Sequence, residues 1–364
     1  MKKFYCLFPH GKNIHLIKDV GMIPYTLHKE KLYEAHISFY EQEENLPSLK
    51  TDVNGLIYDR IKNFFSNDDI DTFFFLLTRF WKIDVLMMFH PSFKKVLIAC
   101  FFKIITFNRI KFYFKLDMSE KTFENDQNPV SSMSELRKFF YRKAGLFTVE
   151  TNKVKDLLDE SSFVNVKYLP NGFNNESSCQ INSQKKNIIL TVGRIGSFEK
   201  DTDTLLRALS NVDLQNWEVN IVGPIETEYH ENITQFYRSN PLLLEKVKFI
   251  GNISDRKILN EYYKEAKVFV LTSRFESFGL VYAEALSQGC YIISTRLAPA
   301  YEITSGEKYG FLFDIADDAA LSSKLSDVIS GKDTLPEYQK IMSFANTNYD
   351  WSVIVRKLHS MLEG

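Results

Sequence analysis

Val268-Phe-Val-Leu-Thr-Ser-Arg-Phe-Glu-Ser-Phe-Gly-Leu-Val-Tyr-Ala-Glu-Ala-Leu-Ser-Gln-Gly-Cys-Tyr-Ile-Ile-Ser294 holds two short apolar runs separated by a polar loop and a helical stretch. The apolar runs, 268–271 and 290–294, are too short for helices and do not alternate with polar residues, which is the pattern of strands buried on both faces. Residues 280–288 between them read as a helix, and Gly289 ends it. A strand, a helix and a strand in immediate succession make a βαβ unit, and such units build a parallel sheet. The same alternation continues towards the N-terminus, with strands expected at 187–193, 217–223 and 247–251 and helices at 202–211, 228–238 and 254–266. The first half repeats it less clearly, with strands expected at 3–8, 85–89, 109–116 and 146–150 and a helix over 96–107.

This reading predicts an α/β protein of two Rossmann-like, doubly wound domains facing across a cleft, where ligands gather at the carboxyl ends of strands. The Pro-Asn-Gly turn in Lys167-Tyr-Leu-Pro-Asn-Gly-Phe173 and the polar stretch 174–186 place the boundary. The first domain is expected over 1–172, joined by a last helix within 346–364, and the second over 173–345.

A chain of 364 residues and 42.4 kDa exceeds the ~250 to 300 residues at which one core stops growing. With 45% apolar and 25% charged residues it is composed like a globular protein, not a disordered, collagenous or coiled-coil one. Cys6, Cys100, Cys179 and Cys290 lie far apart and no histidines cluster, so neither a disulfide framework nor a zinc site is expected, and a reducing cytoplasm fits. The first apolar stretch is too short for a signal peptide, and no uncharged run exceeds eleven residues, at 285–295, so no membrane span is expected. The net charge of −1 conceals a basic segment, 79–115, with eight Lys and Arg against the single acid Asp84.

The chemistry is concentrated after two strands of the second half. A helix beginning near Phe278 turns free N–H groups and a positive dipole end outward, where a phosphate could bind. Glu276 precedes that helix and Glu284 lies about two turns along it, on the same side. Two carboxylates beside a phosphate repel it unless each is engaged by hydroxyl groups, so the ligand suited to this place is a diphosphate flanked by polyols, the form of a nucleotide sugar. In Val192-Gly-Arg-Ile-Gly-Ser-Phe-Glu-Lys200, Gly193 permits a tight turn at a strand end, and Arg194 and Lys200 could bracket the diphosphate without a metal. Asp201-Thr-Asp203 has the spacing of a metal-binding pair, but at a helix start Asp is expected to cap.

Gly193-Arg194 with Lys200, Phe249-Ile-Gly-Asn-Ile-Ser-Asp255 and Glu276-x7-Glu284, in this order, resemble glycosyltransferase family 4, retaining sugar-nucleotide transferases of the GT-B fold. Leu169-Pro-Asn-Gly172, Glu302 before Tyr309-Gly-Phe-Leu-Phe313, and Trp351 extend the resemblance over 168–364. It implies a metal-independent transfer of a hexose from a nucleoside diphosphate sugar, a UDP-sugar in preference to a GDP-sugar, to a glycan or lipid-linked glycan, in cell-surface polysaccharide synthesis. The resemblance also implies roles. Arg194, Lys200 and the backbone amides of Phe278, Gly279 and Leu280 would hold the diphosphate, Glu276 the hexose, Glu284 the ribose, and the main chain at Asn252 and Ile253 the base. No other cofactor and no metal are implied.

In the first half the resemblance is weaker. Family members often place a histidine after a strand there, and this chain has Lys115-Leu-Asp117 instead, which makes Asp117 a candidate for orienting donor or acceptor and His90 a second. Lys18-Asp-Val-Gly-Met-Ile-Pro24 is a candidate glycine loop approaching the acceptor. The apolar spacing around Lys94, Lys95 and the phenylalanines of 93–114 puts most of these rings in the core and argues against nucleic acid, while any exposed ones could touch the inner face of a membrane. A nucleotide-sugar epimerase on the same fold, or a non-catalytic partner subunit of a transferase, are the rival readings.

Overall fold

The computed structural model describes residues 1–40, 45–63, 65–124, 133–160, 164–174 and 185–364. Most of the stretch 174–186, expected as a linker, and Cys179 within it lie outside the described residues. The chain divides into one unit of Met1–Gly172 with Trp351–Gly364 and another of Phe173–Asp350.

The first unit is built on seven strands: β1 (Lys3–Leu7), β2 (Glu34–Tyr40), β3 (Ile57–Ile61), β4 (Val85–Phe89), β5 (Lys111–Lys115), β6 (Leu146–Val149) and β7 (Val166–Tyr168). They are ordered β3-β2-β1-β4-β5-β6-β7 and every pairing is parallel. The second unit holds β8 (Lys186–Val192), β9 (Glu218–Val222), β10 (Val247–Gly251), β11 (Ala266–Leu271), β12 (Tyr291–Thr295) and β13 (Gly310–Phe313), ordered β10-β9-β8-β11-β12-β13, again all parallel. Both are doubly wound sheets. In each the winding reverses beside the first strand, between β1 and β4 and between β8 and β11. The carboxyl ends of the strands at such a reversal point are where doubly wound sheets bind ligands.

The apolar runs of the quoted stretch become β11 and β12, which are buried, and the helix Leu280–Ser287 between them buries Tyr282, Ala283, Ala285 and Leu286. Gly289, at φ 82°, ends it as expected. Strand β2 escaped the sequence reading because His36 and Ser38 interrupt its apolar run. The structure buries His36 by stacking it on Tyr5, centroids 4.2 Å apart, and pairing its Nδ1 with Asp59 Oδ2 at 2.8 Å across to β3. The last helix, Trp351–Glu363, belongs to the first unit, where Arg356 bonds Glu30 at 2.5 Å.

The structure corrects the glycine loop. Residues 19–29 form the helix Asp19–Lys29, and Gly21 sits in its first turn against the preceding backbone. A Cβ at Gly21 would lie 2.1 Å from the Leu16 carbonyl oxygen, so the glycine serves close packing of the chain on itself. In the basic segment Phe102, Phe112 and Phe114 are buried, whereas Phe101 and Phe107 are exposed.

Candidate functional site

The loops after β8 and β11 flank the point where the second sheet reverses. The first carries Gly193, Arg194, Glu199 and Lys200, and the second carries Ser273, Glu276, Phe278 and Gly279. Gly193 lies along the Lys200 side chain, and a Cβ there would meet Lys200 Cγ at 3.5 Å. The two loops are stitched together by the backbone: Arg274 N donates to Glu199 O at 2.8 Å, and the Thr272 hydroxyl lies 2.9 Å from Lys200 O. Short side-chain and main-chain bonds of this kind fix both loops to the sheet, so the charged groups on them are pre-positioned.

Lys200 Nζ donates to Glu276 Oε1 at 2.5 Å, and Ser273 Oγ donates to the same oxygen at 2.7 Å. Glu199 reaches both cations of its loop, Arg194 Nη2 at 2.7 Å through Oε2 and Lys200 Nζ at 3.0 Å through Oε1. Arg194, Glu199, Lys200 and Glu276 thus form one chain of alternating charge. Burial disfavours the Lys200 ammonium, yet Glu276 and Glu199 hold its pKa above the ordinary lysine value. Burial would raise the Glu199 carboxyl, but Lys200 and Arg194 outweigh it and hold that group below the ordinary glutamate value. The site therefore keeps two full positive charges near neutrality, each already matched to a carboxylate.

The helix Leu280–Ser287 begins at Gly279, whose φ of 74° suits glycine, and no side chain caps its first turn. The Phe278 side chain is buried, so only its backbone is available to a ligand. Glu284 stands farther along this helix with both carboxylate oxygens engaged, one by Arg256 and the other by the Tyr263 hydroxyl at 2.9 Å. Asn252 follows Gly251 at the end of β10 and is exposed, its Nδ2 3.3 Å from Ser254 Oγ, while Ile253 packs on the core. The structure joins Lys200 to Glu276 directly and Arg194 to Lys200 through Glu199, and puts Glu284 on the helix that follows the Glu276 loop.

Asp201 occupies the first position of its helix but does not cap it. Its backbone is left-handed at φ 45°, and its carboxylate instead takes Arg274 and the Thr204 hydroxyl, each at 2.9 Å. Asp203 accepts from Tyr229 at 2.6 Å. Among the described residues no group of three or more His, Cys, Asp or Glu side chains is placed to hold a metal ion.

In the first unit His90 and Asp117 end the adjacent strands β4 and β5, with Nε2 and Oδ2 3.8 Å apart. Both are left-handed, at φ 42° and 48°, an unfavourable conformation for these residues that is retained at neighbouring strand ends. Beneath them lies a buried cluster that the sequence reading missed. Lys115 pairs with Glu150 and, at 3.7 Å, with Asp19, and among the described residues Glu150 Oε2 has no hydrogen-bond partner. Burial pushes the Glu150 carboxyl up to about 7 despite Lys115.

Glu199 and Arg256 were also missed as site residues. The signal was present for the first, since Glu199 stands in the quoted Gly-Arg stretch directly before Lys200. Arg256 has no local signal, because only the fold brings it to Glu284.

A family model described as glycosyl transferases group 1 matches residues 174–346. The amylovoran biosynthesis glycosyltransferase AmsD of Erwinia amylovora is 26% identical over 243 residues, 64% of this chain and 66% of that protein. The sulfoquinovosyl transferase SQD2 of Arabidopsis thaliana is 26% identical over 48% of this chain and 33% of its own length. The matched stretch thus spans less than two thirds of these relatives. Among solved structures, Anabaena Alr3699/HepE in complex with UDP superposes with a TM-score of 0.74 at 15% identity over 100% of both chains. A sucrose-phosphate synthase of Thermosynechococcus elongatus superposes at 0.72 and 17% identity, over 100% of this chain and 98% of its own. The fold shared with these neighbours is GT-B.

Proposed function

We propose that this chain, whose residues 174–346 belong to the glycosyl transferases group 1 family, is a retaining, metal-independent glycosyltransferase that moves a hexose from a UDP-sugar to a hydroxyl of a cell-surface glycan or its lipid-linked precursor, in the cytoplasm. The observation that carries the reading is the linked Arg194–Glu199–Lys200–Glu276 chain where the second sheet reverses. A diphosphate there would replace carboxylates as the partner of Arg194 and Lys200 and lie against the uncapped first turn at Gly279, with the backbone of Phe278 and Leu280 on either side. Glu276 would then be released to accept hydrogen bonds from the hexose, Glu284 from the ribose, and the backbone at Asn252 and Ile253 would face the base. The UDP and UDP-glucose complexes of the HepE neighbour and the amylovoran role of AmsD support this choice of donor and acceptor.

In the transfer, the bond between the anomeric carbon and the β-phosphate oxygen breaks as the acceptor oxygen bonds that carbon from the same face, and the acceptor proton passes to the departing phosphate. Negative charge grows on the diphosphate, where Arg194 and Lys200 stabilise it. Removal of one preorganised donor to a developing oxyanion costs about 2.7–4 kcal/mol, so Arg194→Ala is expected to lower kcat about 100-fold or more. The test is mass spectrometry of reactions with a panel of UDP-sugars and candidate oligosaccharide acceptors, with a chelator present, and proton NMR of the products to read anomeric configuration and sugar identity. Glycosylated acceptor of retained configuration, and its loss in Arg194→Ala, is the expected result. An isomerised sugar nucleotide formed without acceptor, or strict dependence on a divalent ion, would overturn it.

A further inference from the structure

The first unit turns an apolar, basic face outward, and it lies on elements that carry none of the donor-binding residues. Twelve of the 21 large apolar side chains exposed among the described residues fall between Phe65 and Phe139. Apart from Phe65, just before the first of them, they belong to the helices Asp68–Leu77, Phe93–Ile105 and Glu135–Ala144 and to the turns after the first two. Phe107 is 92% exposed and Ile104 74%. Ring contacts join the first of these helices to the second and the second to the third. Phe73 stands against Phe74 and Phe101, with centroids 5.8 and 6.1 Å away, and Phe93, Phe140 and Phe139 continue the ring contacts onto the third helix at 6.1 and 5.7 Å. Isolated exposed apolar residues need no explanation, but a contiguous set of this kind marks a contact surface.

Charge selects the occupant. The helices Phe93–Ile105 and Glu135–Ala144 carry seven Lys and Arg against the single acid Glu135, while the acids of the first helix are engaged, Asp68 and Asp71 by the Tyr40 hydroxyl and Asp69 by the Ser92 hydroxyl. On the third helix Arg137 lies over the Phe93 ring at 5.1 Å and Lys143 over the Phe139 ring at 6.0 Å, so cations are interleaved with the aromatic groups. A second copy of the chain placed face to face here would set like charges against each other, whereas an anionic lipid surface meets both properties at once. Among the described residues no helix is long and apolar enough to cross a membrane, so contact would be made from the surface.

We propose that this face seats on an anionic bilayer. Phe101, Ile104 and Phe107 enter the boundary between headgroups and acyl chains, and Lys94 and Lys143 meet lipid phosphates. This goes beyond the transfer reading and stands without it. The test is co-sedimentation of the whole chain with vesicles of phosphatidylcholine alone and of phosphatidylcholine with phosphatidylglycerol, for the wild type and for the double variant I104D/F107D. Each side chain is exposed, so the variant keeps the wild-type circular dichroism and unfolding midpoint. The wild type is expected to bind the anionic vesicles, to release in high salt, and to ignore the neutral ones. Two added negative charges near such a surface reduce partitioning by about tenfold or more, apart from the apolar loss. Equal binding by the variant, equal binding to both vesicle types, or a wild-type dimer that the variant dissolves without any vesicle binding would each overturn the proposal.

Discussion

Glu199 is the residue at which the site is most open to a single-atom test. Its carboxylate lies between Arg194 and Lys200, at 2.7 and 3.0 Å, in the position a diphosphate would claim. Glu199→Gln removes the competing charge and keeps the shape, so UDP affinity is expected to rise several-fold by isothermal titration. A fall would mean that Glu199 chiefly aims Arg194. Lys200 is different, because its bond to Glu276 is largely shielded, with side chains 17% and 8% exposed. Removing Glu276 leaves Lys200 with Glu199 alone at 3.0 Å and Ser273 without its acceptor, and Glu276→Ala is expected to lower stability by about 1 kcal/mol as well as abolish transfer. The strand-end position of Arg194 and Lys200 and the helix bearing Glu284 were legible from strand and turn signals. That Lys200 would be paired with Glu276 across two loops was not, since 76 residues separate them.

Among the elements, β8 to β12 were legible because each is a short apolar run bounded by Gly or polar residues, whereas the four-residue β13 was not read as a strand. Strands β2 and β3 were not, because their polar residues are satisfied only across the sheet, as His36 is by Asp59. The Lys115–Glu150–Asp19 cluster, at the ends of β5 and β6 and the start of the helix Asp19–Lys29, shows the same limit and makes its own prediction. Burial raises the Glu150 carboxyl from the ordinary glutamate value of 4.5 to about 7, so between those values the folded chain binds the proton that the unfolded chain has lost. Stability of the first unit should therefore fall as pH rises across that window. Glu150→Gln is expected to flatten this slope in urea titrations at several pH values, and an unchanged slope would show that the group titrates normally.

At the scale of the whole molecule, two sheets with the same strand order carry different burdens. The second keeps its charged groups on two loops at one reversal point, which is why spacing alone found most of them. The first gathers Asp19, His90, Lys115, Asp117 and Glu150 from distant parts of the chain, and only folding shows them as neighbours. The central claim concerns the second unit, that Arg194 and Lys200 grip a nucleoside diphosphate without an ion. Titration of UDP with a chelator present, into the wild type and into Arg194→Ala, measures it most directly. Arg194 is exposed enough that its loss leaves the fold intact. The account predicts that the wild type binds and that Arg194→Ala binds about tenfold or more weakly, as expected for loss of a charge-assisted contact. Equal affinity in the two, or binding only after a divalent ion is restored, would contradict it.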